Sequence, residues 1–249
     1  MIARRSSAAE VPCGPQAAGR SSRGFGLGGP PPARRLRGMD RLRSLLADAT
    51  AGRFPTADLA VEVLPPPAGS SDAVIAFSGH NVIAAPVTAD EVLAHLSDDD
   101  PGGPMSATFL AWLGERIDAV PGSLDVVLVA DGLGAPASLD RPADADAHDR
   151  VARAQRYRSD VSVHTDAGRS GVVILGRGLA GRLEVSIEVD PERRGQGLGA
   201  ELARAARMLV PAGEPLFAQV APGNAASLRA FLAAGYRPIG SEVLFLRSR

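Results

Sequence analysis

Leu183-Glu-Val-Ser-Ile-Glu-Val-Asp190 runs directly into Pro191-Glu-Arg-Arg-Gly-Gln-Gly-Leu-Gly-Ala200, and the neighbouring segments take their meaning from this junction. Its first half alternates with period two. Leu183, Val185, Ile187 and Val189 are apolar, and Glu184, Ser186 and Glu188 are polar, which predicts a β-strand. Beyond the loop, Leu198, Leu202, Ala206 and Leu209 recur at helical spacing, so the unit is strand, Gly-rich turn, helix. Gly195, Gly197 and Gly199 remove Cβ atoms where the backbone must approach something closely. The unbonded N–H groups that open a helix favour an anion, and Arg193 and Arg194 add fixed positive charge. A phosphate-bearing ligand is the expected occupant.

Arg194-Gly-Gln-Gly-Leu-Gly199 resembles the R/Q-x-x-G-x-G/A signature of the GNAT acetyltransferase superfamily. The lead-in Val189-Asp190-Pro191 and the downstream Asn224, Ser227, Phe231 and Gly235-Tyr236 are also similar to that family, so the resemblance covers roughly residues 160–245. It implies an α/β (α+β) fold: a mixed, centrally splayed β-sheet flanked by helices. The donor it implies is acetyl-CoA, with the acyl thioester lying in the gap between strand 183–189 and its parallel neighbour. The backbone of Ile187 and Val189 would pair with the pantetheine arm. The N–H groups of Arg194, Gly195, Gln196, Gly197, Leu198, Gly199 and Ala200 would hold the pyrophosphate, with Asn224, Ser227 and Phe231 completing the cofactor-binding set. The implied activity is transfer of an acetyl group to a primary amine by direct attack in a ternary complex. A non-catalytic acyl-CoA-binding or regulatory module is the alternative.

Acetyl transfer needs a base to take the amine proton and an acid for the departing thiolate. Glu184 and Glu188 are the candidate bases. A carboxylate salt-bridged on a strand face explains each of them equally well. Many family members carry Tyr where this chain has Phe231, and phenylalanine cannot donate a proton. Tyr236 is a candidate substitute acid, although its position also suits a core aromatic. Asn224 suits an N-cap as well as a ligand contact. Gly195-Gln-Gly-Leu-Gly-Ala200 also fits the dinucleotide fingerprint G-x-G-x-x-G/A. The alternating strand and the charged Asp190–Arg194 delay oppose that reading, and the next strand ends without an acid for a ribose.

Composition bounds the rest. The 249 residues suffice for a sizeable core, yet only 4% are aromatic, so that core is built from Ala, Val and Leu. All 27 basic side chains are arginine, and residues 1–38 hold seven of them against the single acid Glu10. The formal net charge of −1 therefore leaves the body acidic, which argues against a nucleic-acid surface and weakly favours a cationic or amine substrate. A single cysteine excludes an internal disulfide and fits a reducing, cytoplasmic and bacterial setting. No apolar run approaches the roughly 18–20 residues that span a bilayer. The four histidines show no ligand spacing, so no metal is expected. The expected assembly is a monomer or homodimer.

Along the chain, residues 1–38 are rich in Arg, Gly, Pro and Ser and cannot bury enough apolar surface to order, so they are expected to be a disordered tail. An Arg- and Ser-rich, acid-poor leader resembles a transit peptide, but Met39 opens a sensible helix (39–51), so Met39 is the expected start. Residues 39–135 read as an N-terminal α/β portion, β-β-α-α-β in order, either an enlarged opening of one fold or a separate motif-poor domain. Strands are expected at 59–64, 73–77 and 124–130, helices at 88–96 and 105–120. Residues 136–147 are the linker candidate, and 148–249 the acetyl-CoA-binding core. In that core a helix ending at Tyr157 precedes a hairpin, 161–165 and 171–175. Strand 216–220 should run parallel to 183–189, helix 224–234 should stop at Gly235, and two short strands should close the chain.

Overall fold

The computed structural model describes residues 32–97, 100, 102–142 and 149–247. Among these residues, six α-helices flank a nine-stranded sheet. In chain order these are α1 (Pro32–Thr50), β1 (Val61–Leu64), β2 (Ser71–Phe77), β3 (His80–Ala84), α2 (Ala89–Leu93), α3 (Ala107–Ile117) and β4 (Ala119–Asp131). There follow α4 (Asp149–Tyr157), β5 (Ser159–Thr165), β6 (Gly171–Arg177), β7 (Leu183–Val189), α5 (Leu198–Met208), β8 (Pro215–Val220), α6 (Ala225–Ala233) and β9 (Arg237–Arg247). The sheet order is β1-β3-β2-β9-β4-β8-β7-β6-β5. It is mixed: β1 with β3 and β7 with β8 are parallel, the remaining pairs antiparallel.

Local chemistry explains most of the elements. Thr88 and Glu91 form a capping box ahead of α2, each side chain taking the other's backbone N–H. Ser106 caps α3 through Phe109 N at 3.2 Å. Asn224 caps α6, its Oδ1 accepting from Ser227 N at 3.1 Å, and Gly235 ends that helix with φ +86. Ser78 and Gly79 turn β2 into β3 as a hairpin. The β7–β8 crossover through α5 returns parallel, as a crossover helix requires.

Three expectations are corrected. Helix α1 begins at Pro32, so residues 32–38 are helical rather than part of the tail; residues 1–31 lie outside the described residues, as do residues 143–147 of the expected linker. Strand β4 begins at Ala119, taking in Ala119 and Val120, expected to close the preceding helix, and running on through Pro121 and Gly122. Pro121 sits beside a register shift, in the part of β4 that precedes its pairing with β8, where a missing N–H costs no ladder bond on that side. The closing strands are one continuous β9, which passes Pro238 and Gly240 at a second irregularity against Val127 and Leu128.

The two faces of the sheet carry different layers. On one, α1 buries Leu42, Leu45 and Leu46 against Ile75, Val127 and Val129, and α4 buries Val151 and Ala154 against Val163 and Ile174. On the other, α5 and α6 pack Leu202, Ala206 and Phe231 over Val185, Leu216 and Ala218, while α3 packs Phe109 and Leu113 over Ile83 and Phe245.

Candidate active site

Strands β7 and β8 pair only over Leu183–Val185 and Leu216–Ala218, then part. β6 still accompanies β7 as far as Val189, and β4 accompanies β8 as far as Val220, so the opening lies between the two parallel strands alone. A cleft of about 310 Å³ passes through it, lined by Ser186 and Ile187 of β7, Gln219 of β8, and Asn224, Ser227 and Phe231 of α6. From the opposite face Asp125 of β4 and three α4 side chains (Arg150, Arg153 and Tyr157) complete the walls.

At the C-terminal end of β7 the Gly-rich loop enters α5 with Gly195 at φ +74 and Gly197 at φ +90, backbone that side-chain-bearing residues rarely adopt. A methyl group on Gly195 would meet nothing within 4 Å, and on Gly197 nothing nearer than Glu201 Oε1 at 3.9 Å. The corner is open. Arg194 N and Ala200 N are committed to Pro191 O and Gly197 O, which removes them from the expected anion cradle, whereas the N–H groups of residues 195–199 meet no acceptor among the described residues. Arg194 Nε donates to Val189 O at 3.1 Å, so that carbonyl, expected to meet a ligand, already has a side-chain partner. Gly199 lets α5 close on β7 and α6: its methyl position lies 3.4 Å from Ala230 Cβ.

The polar face of β7 is not left to solvent. Glu184 is 2% exposed and accepts from Arg182 Nε and Arg158 Nε at 2.8 Å each, and from Leu179 N at 3.3 Å. Arg182 also grips Glu242 of β9 with both Nη atoms, at 2.8 and 2.5 Å, and lies over the Phe217 ring. Arg158 reaches on to Ser186 Oγ at 2.9 Å and Gln219 Oε1 at 3.3 Å. Two carboxylates and two guanidiniums thus balance inside the sheet layer. Burial alone would raise the Glu184 carboxyl, but Arg182 and Arg158 hold it below the usual glutamate range. That is the salt-bridged alternative, and it leaves Glu184 ill-suited to accepting a proton. The carboxylate lies so close against Gly178 that a methyl there would come within 2.3 Å of Glu184 Cδ. Glu188, one turn of pleat further out, pairs with Arg150 Nε at 2.5 Å and is partly exposed.

Tyr236 is 3% exposed, stands edge-on to Phe231 and donates its hydroxyl to Ala203 O at 3.3 Å. Burial drives its hydroxyl far above the usual tyrosine range, and it does not line the cleft. Its place is the core against α5. The tyrosine that does line the cleft is Tyr157.

Asp125, Arg153, Tyr157, Arg158 and Gln219 were not anticipated. Asp125 had a signal: a charge inside the otherwise apolar Leu124–Ala130 run. Burial pushes its carboxyl above the usual aspartate range, with Glu242 adding to the rise while a Ser123 hydrogen bond and Arg153 oppose it. Among the described residues no group of three or more His, Cys, Asp or Glu side chains could hold a metal, and no helix is long and apolar enough to cross a membrane.

Residues 176–245 match the family model of FR47-like protein, spanning the end of β6 to β9 and therefore the whole opening and its loop. No curated protein matches the chain. Among solved structures, similarity extends to a GCN5-related N-acetyltransferase from Kribbella flavida, at 20% identity over 56% of this chain and 64% of that one, with a TM-score of 0.37. A GCN5-related N-acetyltransferase from Sphaerobacter thermophilus follows at 17% identity, 57% and 56% coverage and a TM-score of 0.36. The chain spans less than two thirds of either, and likeness at that level identifies neither activity nor substrate.

Proposed function

We propose that this chain, of which residues 176–245 are an FR47-like, GNAT-related segment, is an acetyl-CoA-dependent N-acetyltransferase acting on a primary amine by direct attack in a ternary complex. One observation carries the reading: the parting of β7 and β8 past Val185 and Ala218 adjoins a helix N-terminus whose amides at residues 195–199 have no acceptor among the described residues. A diphosphate fits the N–H groups of residues 195–199, with the α5 dipole and Arg193 and Arg194 outweighing the opposing charge of Glu201. Bound there, acetyl-CoA supplies an activated acyl carbon. The protein's part is to hold the amine against it, receive a proton and exclude water.

In the balanced step the amine, freed of one proton, forms the N–C bond as the C–S bond breaks. The departing sulfur keeps its electron pair and takes the second proton that the nitrogen sheds. No dedicated acid is required by that balance, so Phe231 does not by itself disable the site, and a tyrosine, Tyr157, lines the cleft. Phe231 still favours one second reading, an acyl-CoA-binding module without turnover. A cytoplasmic location is part of the proposal, supported by the single cysteine. So is the reading of residues 39–135 as an enlarged opening of one fold, supported by the insertion of β4 between β9 and β8.

Gly197→Glu tests the central claim, since it places a carboxylate and a strained backbone where the diphosphate would sit. Calorimetric titration with acetyl-CoA should show at least a hundredfold weaker binding with the melting temperature within a few degrees of the wild type. Unchanged affinity would refute the site. Tight binding by the wild-type protein with no turnover over a broad amine panel would favour the binding module.

A further inference from the structure

The cleft is lined by three groups, Arg153 of α4, Asp125 of β4 and Gln219 of β8, whose bonding capacity the fold leaves open. Arg150, Arg153 and Tyr157 recur at helical spacing and present one stripe of α4 to the cleft, while Val151 and Ala154 hold the helix down. Arg150 is committed to Glu188, and Arg158 to Glu184, Ser186 and Gln219. Arg153 has no hydrogen bond or ion pair to any described residue; the charge that acts on it is that of Asp125 across the cleft. Gln219 gives its Oε1 to Arg158, and its Nε2 is buried with no acceptor. Asp125 is a half-buried carboxylate with a single hydroxyl, that of Ser123, bonded to it.

A simple alkylamine would satisfy Asp125 and leave the buried Gln219 Nε2 without an acceptor, while the exposed Arg153 fork would stay in water beside it. A buried donor without an acceptor is costly, and a guanidinium fork matches the paired oxygens of a carboxylate or phosphate. The cleft, at about 310 Å³, must also admit the acyl end of the donor, so the acceptor has to be small. Resting on the acetyltransferase reading, we infer that the acceptor is a small amine carrying an oxyanion, carboxylate or phosphate, with Arg153 and Gln219 holding the oxyanion and Asp125 taking the amine proton. Asp125 accepts one proton from the ammonium and passes it to water, and the neutral nitrogen then attacks. The raised carboxyl of Asp125 suits that exchange near neutral pH, and Tyr157 closes the wall beside it.

The test compares α- and ω-amino acids with their amides and their aminophosphonate analogues, reading turnover with acetyl-CoA and binding to the coenzyme A-loaded protein by calorimetry. The wild type should prefer the acid or the phosphonate over the amide at least tenfold, and whichever is preferred identifies the oxyanion. Arg153→Gln should bring that ratio close to one through KM, and Arg153→Lys should restore part of it. Asp125→Asn should lower kcat at least a hundredfold with acetyl-CoA affinity unchanged. Gln219→Glu, which opposes an oxyanion without emptying the site, serves if either variant is unfolded, and should invert the preference towards the amide. Amides bound and turned over as well as acids, or an Arg153→Gln effect equal on both, would overturn the inference alone. Failure of the wild type to bind acetyl-CoA would instead overturn the acetyltransferase reading on which it rests.

Discussion

Replacing Glu184 by Gln separates a structural keystone from a catalytic base. The side chain is 2% exposed, with Arg158 and Arg182 at 2.8 Å on its two oxygens. Gln keeps one oxygen and turns an NH2 group towards one of the two guanidiniums, whichever way the amide is oriented. Glu242 alone would then face two buried arginines, and one positive charge would be left uncompensated. Breaking a buried pair by removing one partner costs about 3–5 kcal/mol, because the surviving charge stays desolvated. In a chain of this length each kcal/mol moves the melting temperature by about 2–4 °C, so the expected fall is roughly 6–20 °C. Glu188→Gln is the control: its pair with Arg150 is partly exposed, and such pairs contribute roughly 0–1 kcal/mol. Differential scanning calorimetry of both variants, with acetyl-CoA titration of whatever remains folded, reads the difference. A Glu184→Gln protein that melts within 3 °C of the wild type while losing turnover would refute the keystone argument and restore Glu184 as the proton acceptor.

The same network makes the protein acid-sensitive. Glu184 has a folded-state pKa below its unfolded one, so its contribution is fully present above the ordinary glutamate range and is lost as pH falls through the depressed value. Melting temperature should be level down to about pH 4–5 and then drop, with a shallower drop in Glu184→Gln; equal slopes would refute the assignment. Tyr236→Phe removes one long hydrogen bond, to Ala203 O at 3.3 Å, and should cost about 1 kcal/mol in stability while leaving turnover within about twofold. Turnover lost at unchanged stability would return Tyr236 to the catalytic set.

Acid titration and the Glu184 variant probe features that differ in how legible they were. The β7–loop–α5 unit is local: period two, then glycines at alternate positions, then period 3.6, all within some 25 residues of each other. Elements of that kind follow from backbone sterics and from which face must be buried, and both are written in adjacent residues. The caps at Thr88, Ser106 and Asn224 are equally local, because a side chain meets an N–H three residues on. Strand ends near Pro121 and Pro238 were misjudged for the converse reason: a proline breaks a strand only where a neighbour needs the N–H it lacks, and the neighbours are set by the sheet.

What the sequence alone determined was therefore the α/β class, the strand–glycine-rich turn–helix unit and the parallel return of β8, each the outcome of short-range periodicity and chirality. Tertiary structure decided the rest. Arg158 meets Glu184 across 26 positions and Arg182 meets Glu242 across 60, and only the joining of β4 and β9 into one sheet with β7 and β8 turns those side chains from ordinary surface candidates into a closed ionic layer. The same packing brings Asp125 opposite Arg153. Charge pairing and desolvation depend on distance in space, and nothing in the spacing of residues along a chain encodes which distant strands will become neighbours.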